Sequence, residues 1–454
     1  MAHNTPLYDV LTRRASDGAL RFHMPGHKGK NIPESPLAGA TAIDFTELYG
    51  TGNLYDGLWP IADAERAAAQ AYEAPQAFFL TGGATMGIHA ALLIARARTG
   101  QVLIDRGCHK SVYNGMGLLG LTPVYIRPGM IEPFHVSDSI SPECVEHALS
   151  DNPAIGAIVI TCPTYYGVMS DIEGIARAAH SHGALLIVDE AHGAHLPFMD
   201  GYKSAAARGA DIAVCSMHKT LPALGQAALM LTAHDIAAEE VRRACAIFGT
   251  SSPSYNIMAS MDLARDFMEN EGRVSLRKLV REVSHMRADI NKRGVFEALN
   301  TGSLDPLRLC VMTAGGGISG YNAARILEDK HKIVCEMADE RNVLFIITAA
   351  DTIEELKSLA NAIYKLEEEK ACTQPLTSSA PAAAKTAMSL TAALHAKNEC
   401  VELKDANGRV AACNLCPYPP GIPTIAVGEV IEQSAIEYLC NNGFAEDDLI
   451  SVII

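Results

Sequence analysis

The sequence predicts an α/β protein whose large domain has three layers, with helices on both faces of a mostly parallel sheet. Two observations predict this fold. Short apolar runs such as ALLIV (residues 184–188) alternate with amphipathic helical stretches through the first half of the chain. Polar clusters follow these runs directly, where each strand should end. Strands that are apolar on both faces are typical of helix-covered parallel sheets, which bind ligands beyond the carboxyl ends of their strands.

The chain divides into three predicted regions. Residues 1–45 form an irregular N-terminal segment, 46–290 form the large domain, and 291–454 form a smaller α+β C-terminal part. Long amphipathic helices around residues 255–295 connect the last two regions. An Ala/Ser/Thr/Pro-rich stretch near 371–389 is predicted to be a linker.

Composition narrows the classes of partner and compartment. The formal net charge of −15 argues against a nucleic-acid partner or an anionic membrane surface. The sequence contains no apolar run of about 18 residues and no secretory-type leader, so we expect a cytoplasmic protein. Its twelve cysteines are scattered and are expected to be reduced. Cys413 and Cys416 have CxxC spacing but lack a second ligand pair, so no metal site is expected.

Lys219 follows the apolar run ADIAVCS, at the end of a predicted strand. Lysine normally stays solvated, so a lysine in a polar cluster at a strand end is unusual. Partial burial lowers the pKa of such an amine, and the neutral amine can attack an aldehyde to form an imine. The alternative interpretation is a surface lysine in a loop.

Asp189 ends another apolar run, thirty residues before Lys219. A carboxylate at the tip of a buried strand needs a partner, and the protonated pyridine nitrogen of pyridoxal 5′-phosphate (PLP) supplies one. The alternatives are a helix cap or a buried, hydrogen-bonded aspartate. A strand-end aspartate and a strand-end lysine at this separation in an α/β chain favour PLP.

A phosphate-binding turn is predicted between the strand QAFFL and the helix that follows it. Gly82 and Gly83 allow the backbone to approach a ligand closely, and the helix N-terminus offers N–H donors to a phosphate. The turn lacks the GK[ST] ending of nucleotide-binding P-loops. Side chains that can complete the phosphate site are Thr81, Thr85, Ser216 and His218.

Two histidines are further candidates for contact with the cofactor. His109 follows the predicted strand QVLID, and its flat imidazole can stack on a pyridine ring. His192, in DEAHGAH, can pack near the cofactor or assist proton transfer. A solvated loop histidine is the alternative for His109.

These elements, in this order, resemble the ornithine/lysine/arginine decarboxylase family of fold-type-I PLP-dependent enzymes. The resemblance covers most of the chain and is strongest to short members that lack the N-terminal wing domain. The motifs that carry it are FHMPGHKG (22–29), TGGATMGIHA (81–90), CHKSV (108–112), CPTYYGV (162–168), VDEAHGAH (188–195), SMHKTLPALGQ (216–226), TSSPSY (250–255) and YPPGIP (418–423).

The resemblance implies a role for each matched residue. Lys219 would be the Schiff-base lysine, Asp189 would pair with the pyridinium nitrogen, and His109 would stack on the ring, with His192 beside it. Thr250 and Ser251 would reach the cofactor of a neighbouring subunit, which implies a homodimer or a higher homo-oligomer. The residues implied to hold the phosphate are Ala84, Thr85, Ser216 and His218.

The activity implied is decarboxylation of a basic amino acid, namely arginine, lysine or ornithine, in polyamine metabolism. The distal cation of such a substrate needs a carboxylate, and the candidates are Asp44, Glu47, Asp56 and Glu429. Two alternatives remain open at this point. The chain is either another fold-type-I PLP enzyme, such as an aminotransferase, an aldolase or a deaminase, or a non-catalytic relative.

Overall fold

The computed structural model describes residues 3–31, 34–369, 384–417 and 422–454. Most of the predicted linker near 371–389 and residues 418–421 of the YPPGIP motif therefore lie outside the described residues. Fifteen strands occur in the described ranges, in chain order β1 (Gln76–Leu80), β2 (Gln101–Asp105), β3 (Thr122–Ile126), β4 (Met130–Ile131), β5 (Val136–Ser137), β6 (Ile155–Thr161), β7 (Leu185–Asp189), β8 (Ile212–Ser216), β9 (Ala228–Thr232), β10 (Glu297–Ala298), β11 (Arg308–Met312), β12 (Met337–Ala338), β13 (Asn342–Ile346), β14 (Asn398–Glu402) and β15 (Leu449–Ile453).

The α-helices of the same ranges are α1 (Pro6–Ser16), α2 (Ala38–Ile43), α3 (Ile61–Ala71), α4 (Gly83–Arg96), α5 (Lys110–Leu119), α6 (Pro142–Asp151), α7 (Ile172–Ser181), α8 (Met217–Thr220), α9 (Ala238–Phe248), α10 (Tyr255–Phe267), α11 (Arg273–Arg293), α12 (Gly320–His331), α13 (Ile353–Leu366), α14 (Leu390–His395) and α15 (Gln433–Asn441). The long helices predicted around residues 255–295 are confirmed as α10 and α11. A π-helical turn, Met268–Gly272, lies between them.

The described chain forms two compact units. The first comprises Met1–Ala97, Ile172–Arg277 and Thr348–Ala350, and the second comprises the remaining stretches, beginning with Arg98–Asp171. The predicted regions at 1–45, 46–290 and 291–454 do not correspond to these units and stay a prediction.

In the first unit, four strands are neighbours in the order β1, β9, β8 and β7. Strands β7 and β8 run parallel, whereas β9 runs antiparallel to both of its neighbours, β1 and β8. Strands β8 and β9 are buried along their whole length, as expected for strands covered on both faces. Helix α4 packs closely on this sheet at Gly87, where an added methyl carbon would lie 2.6 Å from Leu80 and from Val214. This contact fixes the helix whose N-terminus is the predicted phosphate site.

In the second unit, β6, β2 and β3 are parallel neighbours in that order. An antiparallel sheet of order β10, β11, β13 and β12 follows, and β14 pairs with β15. Phe134, Val168 and Leu344 belong to a buried cluster at the antiparallel sheet, and Leu403, Ile431 and other apolar residues form the core of the last part of the chain. The smaller α+β C-terminal part that the sequence predicts is confirmed in strands β10 to β15 and the helices among them.

Candidate active site

The first unit brings Lys219 and His192 together. Lys219 lies in the short helix α8, which begins directly after β8, and His192 lies in the turn that follows β7. The Lys219 amine is 3.1 Å from Nε2 of His192, which is hydrogen-bonding distance. A proton can therefore pass directly between the amine and the imidazole.

Asp189 is the last residue of β7 and is buried, with 4% of its surface exposed. Its Oδ1 accepts a hydrogen bond of 3.1 Å from the backbone N–H of Ala191. Burial raises the pKa of Asp189, and the nearby positive charge of Lys219 opposes part of that rise. Because β7 and β8 are parallel neighbours with Asp189 opposite Val214, the carboxylate and the amine emerge at the same edge of the sheet.

The predicted phosphate turn lies at the N-terminus of α4. Gly83 has a left-handed backbone (φ +70°), and its N–H donates to the Gln226 carbonyl at 2.9 Å. The nearest atom to a methyl carbon added at Gly83 would be Gln226 Cα, at 4.0 Å. The hydroxyl of Thr81 is buried and has no hydrogen-bond partner among the described residues. A buried hydroxyl beside a glycine turn at a helix N-terminus fits a bound phosphate, which would supply the missing acceptor.

Ser216 and His218 lie on either side of the start of α8. Ser216 is buried at the end of β8. His218 Nδ1 lies 2.9 Å from the Ala227 carbonyl oxygen, so this nitrogen carries the hydrogen. The contact holds the imidazole of His218 to the turn before β9.

The second unit contains His109, which is the N-cap residue of α5. Its Nδ1 accepts a hydrogen bond of 3.2 Å from the backbone N–H of Ser111. A nitrogen that accepts this bond has no hydrogen, so a neutral His109 is protonated at Nε2. Stacking of His109 on the cofactor ring stays a prediction.

Thr250 and Ser251 are exposed and follow Gly249, the C-cap residue of α9. The hydroxyl of Tyr55 donates to the Thr250 carbonyl at 3.1 Å, which anchors the start of this segment. A role at the cofactor of a second subunit stays a prediction for both residues.

The four acidic candidates for the substrate cation differ in their partners. Glu429 forms an ion pair with Arg106 (2.9 Å), and Asp44 lies 3.2 Å from the ring of His27. Glu47 accepts a hydrogen bond from the Thr46 hydroxyl, but its Oε1 is buried without a partner among the described residues. The backbone N–H of Asp56 donates to the Asn53 carbonyl at 3.2 Å, which closes a turn. Sequence reasoning missed Arg106, whose nearness to His109 in DRGCHKSV was the available signal.

Comparison with known families decides the assignment. The model of the Orn/Lys/Arg decarboxylase major domain matches residues 5–304, and that of the Orn/Lys/Arg decarboxylase C-terminal domain matches residues 367–446. The chain belongs to the Orn/Lys/Arg decarboxylase family. The resemblance inferred from the sequence motifs is therefore confirmed.

Relatives of this decarboxylase family member agree with the match. The arginine decarboxylase of Bacillus subtilis (strain 168) is 30% identical over 97% of this chain and 94% of its own length. The lysine decarboxylase LdcF of Francisella novicida has a TM-score of 0.84 at 19% identity, covering 99% of this chain and 81% of that chain. A structure of SPT with PLP aligns with a TM-score of 0.53 at 17% identity, covering 68% of this chain and 76% of that chain. These likenesses confirm the fold-type-I architecture.

PLP is the cofactor of this decarboxylase family, and the first unit is suited to bind it. The buried carboxylate of Asp189, the amine of Lys219 and the partnerless hydroxyl of Thr81 are the groups that a pyridine nitrogen, an aldehyde and a phosphate require. No helix in the described ranges is long and apolar enough to cross a membrane. Those ranges also contain no cluster of three His, Cys, Asp or Glu side chains suited to a metal ion.

Proposed function

We propose that this chain is a PLP-dependent decarboxylase that converts a basic amino acid into the corresponding amine and CO2. The observation that carries the proposal is the position of Lys219. Its amine lies 3.1 Å from His192, and its charge acts on the buried carboxylate of Asp189. An amine, an imidazole and a buried carboxylate at one sheet edge provide an attachment point, a proton carrier and a partner for a ring nitrogen.

Each of these groups has a defined task. Asp189 is shielded from water, so its carboxylate can hold a proton on a ring nitrogen by ion pairing. When bound, PLP supplies an electron sink for the electron pair that is left as CO2 departs. Lys219, hydrogen-bonded to His192, then delivers a proton to the substrate α-carbon. The phosphate would be held by the N-terminus of α4 at Ala84 and Thr85, together with Ser216 and His218.

Among basic amino acids, arginine is the substrate that we propose first. The arginine decarboxylase of Bacillus subtilis matches this chain over 94% of its own length. A substrate guanidinium needs a carboxylate, and Glu47 has a buried oxygen that lacks a partner among the described residues. We therefore propose Glu47 over Asp44, whose carboxylate lies beside His27. The amine product would enter polyamine metabolism.

A homodimer in the cytoplasm is also part of the proposal. Several large apolar side chains of the N-terminal region are exposed in the single chain, where a second copy would cover them. Eleven cysteines of the described ranges are free thiols, which suits a reducing compartment. The exposed apolar residues are Leu20, Phe22, Met24, Leu37, Tyr49, Leu58 and Trp59.

The direct test is to incubate the purified, PLP-loaded protein separately with arginine, lysine and ornithine. We expect CO2 and an amine in equal amounts, identified by mass spectrometry, with the highest kcat/KM for arginine. Keto acid formed only with an added acceptor would show an aminotransferase instead. Tight PLP binding without turnover of any basic amino acid would contradict the decarboxylase proposal. A preference for lysine or ornithine would overturn only the choice of substrate.

A further inference from the structure

Arg106 lies between the end of β2 and His109, and its guanidinium is largely buried in the second unit, with 11% of the side chain exposed. Its Nη1 donates at 2.8 Å both to the Tyr113 hydroxyl and to the Pro423 carbonyl. Its Nη2 donates to the Thr424 carbonyl at 3.2 Å and to Glu429 at 2.9 Å. Arginine rather than lysine is suited to this position, because only the planar fork bonds to four acceptors at once.

Glu429 meets this fork with a single oxygen atom. Oε2 accepts from Arg106 Nη2 and also from the backbone N–H of Ala426, at 2.7 Å. The Glu429 side chain is 4% exposed, so both bonds form in a site from which water is largely excluded. Glu429 therefore organises its own turn and ties that turn to Arg106.

The C-terminal segment, by which we mean the described residues 384–417 and 422–429, also holds helix α5, whose N-cap is His109. The Asn414 side-chain amide donates to Asn114 at 2.9 Å. The Thr391 hydroxyl donates to the Gly117 carbonyl at 2.9 Å. Tyr113 completes the attachment, because its hydroxyl also donates to the Arg106 carbonyl at 2.9 Å. The turn from Arg106 to His109 is thus held at the side chain and at the backbone.

We propose that Arg106 and Glu429 are positioning residues for His109, through which the C-terminal segment sets the place of that imidazole. This inference rests on the proposed function, in which His109 contacts the cofactor. It assigns Glu429 to Arg106 and removes it from the candidates for the substrate cation. The turn after β2, from Arg106 to His109, is distant in sequence from the C-terminal segment. The ion pair between Arg106 and Glu429 joins the two within the second unit.

Two substitutions of Glu429 separate positioning from substrate binding. Glu429→Gln keeps one carbonyl oxygen for both Arg106 and Ala426 and removes only the charge. Glu429→Met keeps the volume and removes both bonds. If Glu429 positions His109, we expect Met to lower kcat on the order of tenfold or more, with Gln between Met and wild type. We expect KM for a cationic substrate to change little in either variant. A substrate-binding Glu429 would instead give a large rise in KM in both variants.

The decisive readouts use the full-length holoenzyme. We expect Glu429→Met to speed amide hydrogen exchange over residues 106–112 and to change the visible circular dichroism of the bound cofactor. The matched control is Glu369→Gln, which breaks the partly exposed ion pair with Lys330 in the same unit and should alter neither signal. If Glu429→Met does not fold, Arg106→Lys takes its place, because lysine keeps the positive charge but lacks the planar fork. We expect Arg106→Lys to show the same faster exchange and the same change in cofactor dichroism.

Each remaining outcome also decides the inference. Unchanged exchange over residues 106–112 would overturn it, as would faster exchange with normal kcat and normal cofactor dichroism. If the wild-type protein decarboxylates no basic amino acid, the proposed function fails. Exchange and cofactor dichroism then still show whether Glu429 positions His109.

Discussion

Glu190, the residue after Asp189, accepts a hydrogen bond from the Cys215 thiol, with 3.2 Å between Oε2 and Sγ, and both residues are buried. Its other oxygen accepts from the backbone N–H of Ala205 at 3.0 Å. Burial raises the pKa of Glu190 from 4.5 to about 8, and these two bonds offset only part of the effect. The folded protein thus holds a proton on Glu190 at pH values at which the unfolded chain releases it.

The free energy of unfolding should therefore decrease as the pH rises, because the folded protein keeps the proton on Glu190 to a higher pH than the unfolded chain does. The contribution of Glu190 is complete below pH 4.5, the unfolded value, and is lost as the pH rises through about 8, the folded value. Glu190→Gln imitates the protonated side chain and removes this dependence. We expect the wild type to lose about 2–4 kcal/mol relative to Glu190→Gln between pH 5 and pH 8. Denaturant unfolding of both proteins at the two pH values measures this loss, with Glu369→Gln at the partly exposed Lys330 ion pair as the control. A constant difference between wild type and Glu190→Gln would contradict the prediction.

Lys219 is the residue whose loss should abolish activity. We expect Lys219→Ala to lower kcat by about a thousandfold or more, because the proposed function makes the amine both the attachment point and the proton donor to the substrate. Borohydride reduction followed by peptide mass spectrometry should find PLP on residue 219 of the wild type and on no lysine of the variant. Lys203→Ala is the control, since Lys203 is exposed and its amine lies 3.8 Å from the exposed carboxylate of Glu73. Cofactor found on another lysine in the wild type would contradict the assignment.

The sequence predicted the candidate site best where polar residues directly follow buried apolar strands. The positions of Asp189 and Lys219 at strand ends could be predicted because apolar strands buried on both faces leave polar residues only at their tips. The antiparallel direction of β9 could not be predicted, because the residues of an apolar run do not indicate in which direction the strand runs. The bond between Arg106 and Glu429 joins residues 323 positions apart, and either side chain alone resembles a solvated charge. Pairings of this kind depend on tertiary packing.

Gly83 and Gly183 form a matched pair for testing the phosphate turn. Both have left-handed backbones, with φ of +70° and +69°, and an added methyl carbon would have no close contact at either position. Replacement by alanine should cost each about 1–2 kcal/mol of stability, because the strain is the same. Only Gly83→Ala should weaken PLP binding, on the order of tenfold, because this turn presents the amides of α4. Titration of the apoprotein with PLP measures the affinity, and equal affinities in the two variants would contradict the phosphate assignment.

Thr250 and Ser251 allow a test of shared active sites. Both are exposed in the single chain, as expected of residues that a second copy covers. Lys219→Ala should be inactive, and the double variant Thr250→Ala, Ser251→Ala should be strongly impaired. If the two residues act in the partner's site, a hybrid dimer contains one complete site, formed by the intact Lys219 of one subunit and the intact 250–251 segment of the other. Refolding the two variants together in equal amounts should then restore about a quarter of wild-type activity, because half of the dimers are hybrids with one complete site in two. Hybrids detected by native mass spectrometry that show no such recovery would place both residues outside the neighbouring site.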